Sequence, residues 1–105
     1  MPFETDNTID WFELSKSKTI DWSIDYISER KNFLHWPNLS WNTALPWSFE
    51  IIDIFKNDWS WDHLSSNNAI NFDEKIINTY IDNWDWSQLS RNESFPWTEI
   101  NILSY

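Results

Sequence analysis

The chain reads as an all-α protein, a short α-solenoid of four tandem helix-pair repeats, and three observations carry that reading. Trp11, Trp36, Trp61 and Trp86 recur at one constant spacing of about 25 residues, a period in the range of stacked repeat proteins. Whole columns of residues recur in the same register. Leu14-Ser15, Leu39-Ser40, Leu64-Ser65 and Leu89-Ser90 follow that tryptophan at three and four places, Ile20, Leu45, Ile70 and Phe95 at nine, and Ile27, Ile52, Ile77 and Ile102 at sixteen. Finally, helix-capping residue types recur at two places per unit, which marks two helix starts in each. The 105 residues form one repeat domain, with 1–8 as an N-terminal cap and repeats at 9–33, 34–58, 59–83 and 84–105.

The first helix of each unit starts at Asp10, His35, Ser60 or Asp85 as the cap. Ile9, Leu34, Trp59 and Trp84 precede it, and Leu14, Leu39, Leu64 and Leu89 take the fourth helical position, which is the spacing of a hydrophobic staple. Asp10 with Glu13 and Asp85 with Gln88 also fit a reciprocal capping box, and His35 is the weakest of the four caps. Asn42, Asn67 and Asn92 lie just past the Leu-Ser pair, where a left-handed residue often ends a helix and Asn tolerates that conformation. The first helix is therefore expected to be about six residues long.

The second helix starts at Ser23, Ser48, Asp73 or Thr98, with Trp22, Trp47, Phe72 and Trp97 before the cap and Ile27, Ile52, Ile77 and Ile102 at the fourth helical position. That is a second staple. Pro46 and Pro96 stop any helix from running through the start. The second helix is expected to be the longer, from Phe49 to Asn57 in one unit and from Glu74 to Ile81 in the next, with apolar stripes at Ile51, Ile52 and Phe55 and at Ile76, Ile77 and Tyr80. Tyr105 falls in the column of Phe55 and Tyr80, so the chain is expected to end with its fourth unit's second helix.

Helices this short are marginal alone, so stacking must supply the stability. Nine of the ten tryptophans fall in register and are read as core, each fully buried aromatic contributing at most about 4–6 kcal/mol. Trp41 alone is out of register. The absence of glycine argues against disorder and against turn-rich β folds.

The fourth unit, from Trp84-Asp85-Trp86 through Leu89-Ser90 and Asn92 to Phe95-Pro96-Trp97, resembles the tryptophan-rich tandem repeats of uncharacterised bacterial and large-virus proteins. Their pattern is roughly WDWxxLSxNxxLPW followed by a short amphipathic helix. The likeness covers residues 9–105 and departs at the acidic position in Trp59-Ser60-Trp61 and Leu34-His35-Trp36, and at the leading tryptophan in Ile9 and Leu34. It implies a repeat fold and assigns no chemistry.

Composition narrows the function. Seventeen acidic residues against seven basic ones give a net charge of −10, which argues against direct nucleic-acid binding and for a basic partner. Zero cysteine excludes thiol chemistry and thiolate metal sites and suits a reducing compartment. No basic region followed by an apolar run opens the chain and no stretch is long enough to span a membrane, so the expected compartment is cytoplasm, the cell's own or an infected host's. A glycine-rich phosphate loop and a nucleophile elbow are excluded because no glycine is present, and HExxH is absent. His35 and His63 occupy different columns and make no metal pair. No catalytic, cofactor-binding or metal-binding residue is expected.

What departs from the repeat is informative. Trp41 shares its column with Lys16, Ser66 and Arg91, so a water-facing position carries an aromatic there. Phe12 and Phe49 share their columns with polar residues in other units and are the same kind of anchor. Nine acids sit at caps or in first turns, where the helix dipole accounts for them. Of the rest, Asp58 and Asp82 lie at corners beside Asp62 and Asp85, and that edge is the best acidic face. Four units stacked at about 8–10 Å span on the order of 40 Å, a charge density nearer single-stranded than duplex nucleic acid. The expected partner-binding residues are thus Trp41, Phe12, Phe49, Asp58, Asp62, Asp82 and Asp85. The expected function is non-enzymatic binding of another protein with a basic surface, most specifically as a small acidic inhibitor in a nucleic-acid-binding groove, of the anti-CRISPR or a similar anti-defence type. A scaffold mediating protein association is the alternative, and a sugar-binding module using Trp41 and Phe49 comes third.

Overall fold

A computed structural model describes residues 9–96. Among these residues all regular structure is helical: α1 (Trp11–Leu14), α2 (Ile24–Glu29), α3 (Trp36–Trp41), α4 (Phe49–Ile54), α5 (Trp61–Ser65), α6 (Glu74–Thr79) and α7 (Trp86–Leu89). No helix is long and apolar enough to cross a membrane among the described residues. Trp97, Thr98, Ile102 and Tyr105, on which the fourth staple and the final column rest, lie outside them.

The helices start where the caps place them. Asp10, Ser23, Ser48 and Asp73 each accept the backbone N–H three residues on, at 3.1, 3.1, 3.4 and 2.8 Å. Asp85 accepts from both Ser87 and Gln88. One cap departs from expectation. His35 does cap α3, its Nδ1 accepting from the Asn38 N–H at 3.3 Å, whereas Ser60 makes no cap bond and donates instead to the Asp62 carboxylate. The reciprocal half of the expected capping boxes is replaced as well, since Glu13 pairs with Lys16 and Gln88 accepts from Ser66.

The second helices are shorter than their apolar stripes suggest. α4 and α6 stop at Ile54 and Thr79 because Phe55 and Tyr80 leave helical geometry, with φ −108° and −116° and positive ψ. The Phe55 carbonyl then accepts from Asp58 and Trp59, and the Tyr80 carbonyl from Asn83 and Trp84. This turn returns Trp59 and Trp84 to the core, where both are buried.

The asparagines have a different role from the one expected. Asn42 is extended at φ −73°, ψ 121°, and not left-handed. Its side chain turns inward, where Nδ2 donates to the carbonyls of Ser15 and Ser17, and Oδ1 accepts from the Ala44 N–H. Asn67 makes the same set with Ser40, Asn42 and Ala69, and Asn92 with Ser65, Asn67 and Ser94. All three are buried, and a buried amide must find partners, so this chain of bonds ties each segment to its counterpart one period earlier. The serines form a second chain. Ser15, Ser40 and Ser65 donate to the carbonyl four residues back and accept the N–H of His35, Ser60 and Asp85, twenty residues on.

The core runs through all of this as one cluster. Ile27, Ile52 and Ile77, Leu39, Leu64 and Leu89, and Leu45, Ile70 and Phe95 are buried in it. Among the tryptophans, Trp22, Trp59 and Trp84 are fully buried, whereas Trp11, Trp36, Trp47, Trp61 and Trp86 are only partly covered. Reading nine tryptophans as core therefore overstates their burial. The half-covered ones reach backbone carbonyls at the surface: the indole N–H groups of Trp36, Trp61 and Trp86 donate to the carbonyl five residues upstream. An indole keeps its polar edge near water while its rings pack inward.

α5 packs between α3 and α7. The principal extents are 50 × 22 × 20 Å, and the radius of gyration of 14.7 Å exceeds the about 13 Å of a globule of this length.

Candidate functional site

Two surfaces emerge, one around Trp41 and one along the starts of the second helices. Trp41 is the last residue of α3 and follows Leu39 and Ser40, both of which are buried. The helical turn therefore directs position 41 outward. Its side chain is 60% exposed, the most of any large apolar residue described, and its indole N–H has no acceptor among the described residues. Seven other indoles donate theirs to backbone carbonyls.

Shallow depressions flank this ring. One of about 360 Å³ is bounded by Asn38, Asp62, His63, Ser66 and Gln88, and one of about 200 Å³ by Lys16, Lys18, Asn38 and Asn42. The rim is tied together by hydrogen bonds between segments distant in the sequence. Asn38 Nδ2 donates to the Phe12 carbonyl, Lys18 Nζ to Thr43 Oγ1 at 2.9 Å, and Ser66 Oγ to Gln88 Oε1. Such ties hold the surface in shape before anything binds, which lowers the cost of ordering it.

Asp62, His63 and Ser60 touch one another at the start of α5. Ser60 Oγ lies 2.7 Å from His63 Nδ1 and 2.9 Å from Asp62 Oδ1, and Asp62 Oδ1 lies 3.1 Å from the same Nδ1. The Ser60 hydrogen bond holds the Asp62 carboxyl below the usual aspartate range; burial opposes it, and the charge and hydrogen bonds of His63 add to the lowering. Ser, His and Asp in contact invite comparison with a nucleophilic triad. In a triad the serine and the carboxylate address different ring nitrogens. Here both address Nδ1, so the imidazole cannot relay a proton between them.

The other expected contact residues are placed unevenly. Phe12 is 48% exposed, with its ring 4.7 Å from His35 and the Lys16 ammonium over it. Phe49 is half-buried, stacked on Tyr80 at 6.0 Å with Lys75 on it at 4.2 Å. Asp58 is partly buried and ion-paired with Lys31 at 3.4 Å, and Asp85 is spent on capping α7. Asp62 and Asp82 are exposed. The four acids thus do not share one environment.

Sequence reasoning missed a second acidic surface. Ile24, Pro46 and Ile51 floor a depression of about 490 Å³ between the starts of α2 and α4, with Asp25 and Glu50 on its rim. The signal was present, since Asp25 and Glu50 share a column. It was assigned wholly to the helix dipole, which explains an acid's position without consuming its charge. Among the described residues, no group of three or more His, Asp or Glu side chains is placed to hold a metal ion. No family model, curated protein or solved structure matches this chain.

Proposed function

We propose that the protein is a four-repeat helical solenoid of the tryptophan-rich kind, acting by binding another protein and not by chemistry. The hydrogen bonds that recur at separations of 20, 25 and 27 residues support the stacked-repeat reading. Its partner presents a basic groove that ordinarily holds nucleic acid, and the chain occupies that groove as an acidic inhibitor of the anti-defence type, for instance an anti-CRISPR. The carrying observation is the state of the acids. Of the fourteen between residues 9 and 96, eleven are exposed, and only Glu13 and Glu29 of these are paired with Lys or Arg. Their charge is therefore available to a partner, with Asp25 and Glu50 beside an apolar floor where a cationic side chain could lay its stem. The 50 Å length, longer than four helix-packing distances, spreads that charge more thinly than expected. This favours a protein surface with spaced cations over close imitation of a phosphate backbone.

The test is capture of the partner followed by a salt titration. Binding should weaken at least about tenfold between 50 and 200 mM salt, and the combined variant Asp25→Lys, Glu50→Lys, Asp82→Lys should weaken it further while leaving the circular dichroism spectrum unchanged. Affinity indifferent to both salt and these reversals would refute the inhibitor reading and favour the scaffold alternative.

A further inference from the structure

Trp41 is not used by the acidic reading, and its surroundings are organised by charge. Lys18, from the segment after α1, borders it on one side and has no carboxylate partner among the described residues, its ammonium being held by the Thr43 hydroxyl. Asp62, on α5, borders it on the other and has no Lys or Arg partner among the described residues. The order along this face is therefore cation, indole, carboxylate.

A face with that order is complementary to itself after a half-turn. We propose that the Trp41 face joins two copies of this chain, antiparallel about a two-fold axis beside Trp41, with Lys18 of each copy opposite Asp62 of the other. The rotation lays the two indoles against each other across the axis and brings each exposed cation onto a carboxylate that has no Lys or Arg partner among the described residues, which is the pairing that an isologous interface requires. Each indole then covers the apolar ring of its counterpart, and its free N–H faces the polar rim residues Asn38 and Gln88. Size permits it. A side 50 Å long and at least 20 Å wide offers roughly 1,000 Å², against about 800 Å² per partner in a stable complex. A net charge of −10 on each copy opposes association in general, so a register that sets each Lys18 opposite an Asp62 around the two indoles is favoured over one that brings acids together.

Analytical ultracentrifugation of the full chain from 1 to 500 μM tests this. The wild type should sediment as a concentration-dependent dimer, and Trp41→Ala should weaken dimerisation at least about thirtyfold, the effect of losing a central aromatic anchor. Lys18→Glu and Asp62→Lys should each weaken it about tenfold, and the two changes in one chain should restore it to within about threefold, because the reversed pair is regenerated across the axis. Rescue distinguishes this contact from damage to the fold, which a second destabilising change could not repair. A monomer at every concentration overturns the proposal, leaving the face to a foreign protein or a sugar, and so does a dimer that survives Trp41→Ala or shows no rescue by the double change. The Asp25, Glu50, Asp82 variant keeps this register and carries less net negative charge, so it should dimerise at least as tightly as the wild type, which separates failure here from failure of the inhibitor reading.

Discussion

Asn67 shows how much one side chain can hold. Its buried amide donates to the carbonyls of Ser40 and Asn42, both bonds being out of contact with water, and accepts from Ala69. Asn67→Ala strands those groups and should lower unfolding free energy by about 2–3 kcal/mol in urea titrations. Asn67→Asp should be at least as damaging at neutral pH, since a carboxylate cannot donate. Trp41→Ala, by contrast, should change monomer stability by no more than about 0.5 kcal/mol, because most of the ring is exposed and it lies outside the buried core. At Asp62 the Ser60 hydrogen bond lowers the carboxyl's pKa, so the interaction is present above the ordinary aspartate value and disappears as pH falls through the lowered one. An NMR titration should find the Asp62 midpoint below that of a free aspartate, and Ser60→Ala should move it upward. The repeat spacing made these asparagines conspicuous in the sequence but suggested the wrong reason for them. An Asn just past a helix fits a left-handed stop as well as a buried bridge, and only the neighbouring carbonyls distinguish the two.

At the scale of the element, four to six residues cannot sustain a helix, so the helices of this chain are products of their neighbours. A peptide of residues 59–83 alone should show little helical circular dichroism, since its serine and asparagine bonds both reach outside it. The α4 and α6 elements are also joined through Tyr80, whose hydroxyl donates to Asp53. Burial first, then the Asp53 hydrogen bond and charge, push the Tyr80 phenol above its ordinary range. The folded state thus keeps a proton that the unfolded chain releases near pH 10. The Tyr80 contribution to stability should be level below about pH 10 and fall as pH rises beyond it, a decline that Tyr80→Phe should reduce at a cost of about 1–2 kcal/mol at neutral pH. Helix starts were legible because a cap and staple lie within six residues of one another. Helix ends were not, because the apolar stripe continues to Phe55 and Tyr80 whether those rings extend the helix or fold over its end.

Across the whole molecule, the proposed solenoid makes a deletion experiment decisive. Removing residues 59–83, one full period, should leave a shorter but cooperatively folding chain, because each junction still presents the same Ser and Asn to the same carbonyls. Removing only 61–83, which falls short of a period, should abolish cooperative unfolding, since the bonds that link one unit to the next are then out of step across the cut. What the sequence by itself determined is the composition of the unit: its helical class, its caps, its core columns and the anomaly at Trp41, all set by local chemistry and by repetition. Tertiary structure alone decided which repeated polar residues turn inward, which tryptophans remain half-covered, and which acids keep their charge available. Asp58 and Asp82 stand within one place of each other in the register, yet Asp58 is partly buried and paired with Lys31 whereas Asp82 is exposed. The difference arises because ion pairs and burial depend on residues far away along the chain, which only the folded structure brings close.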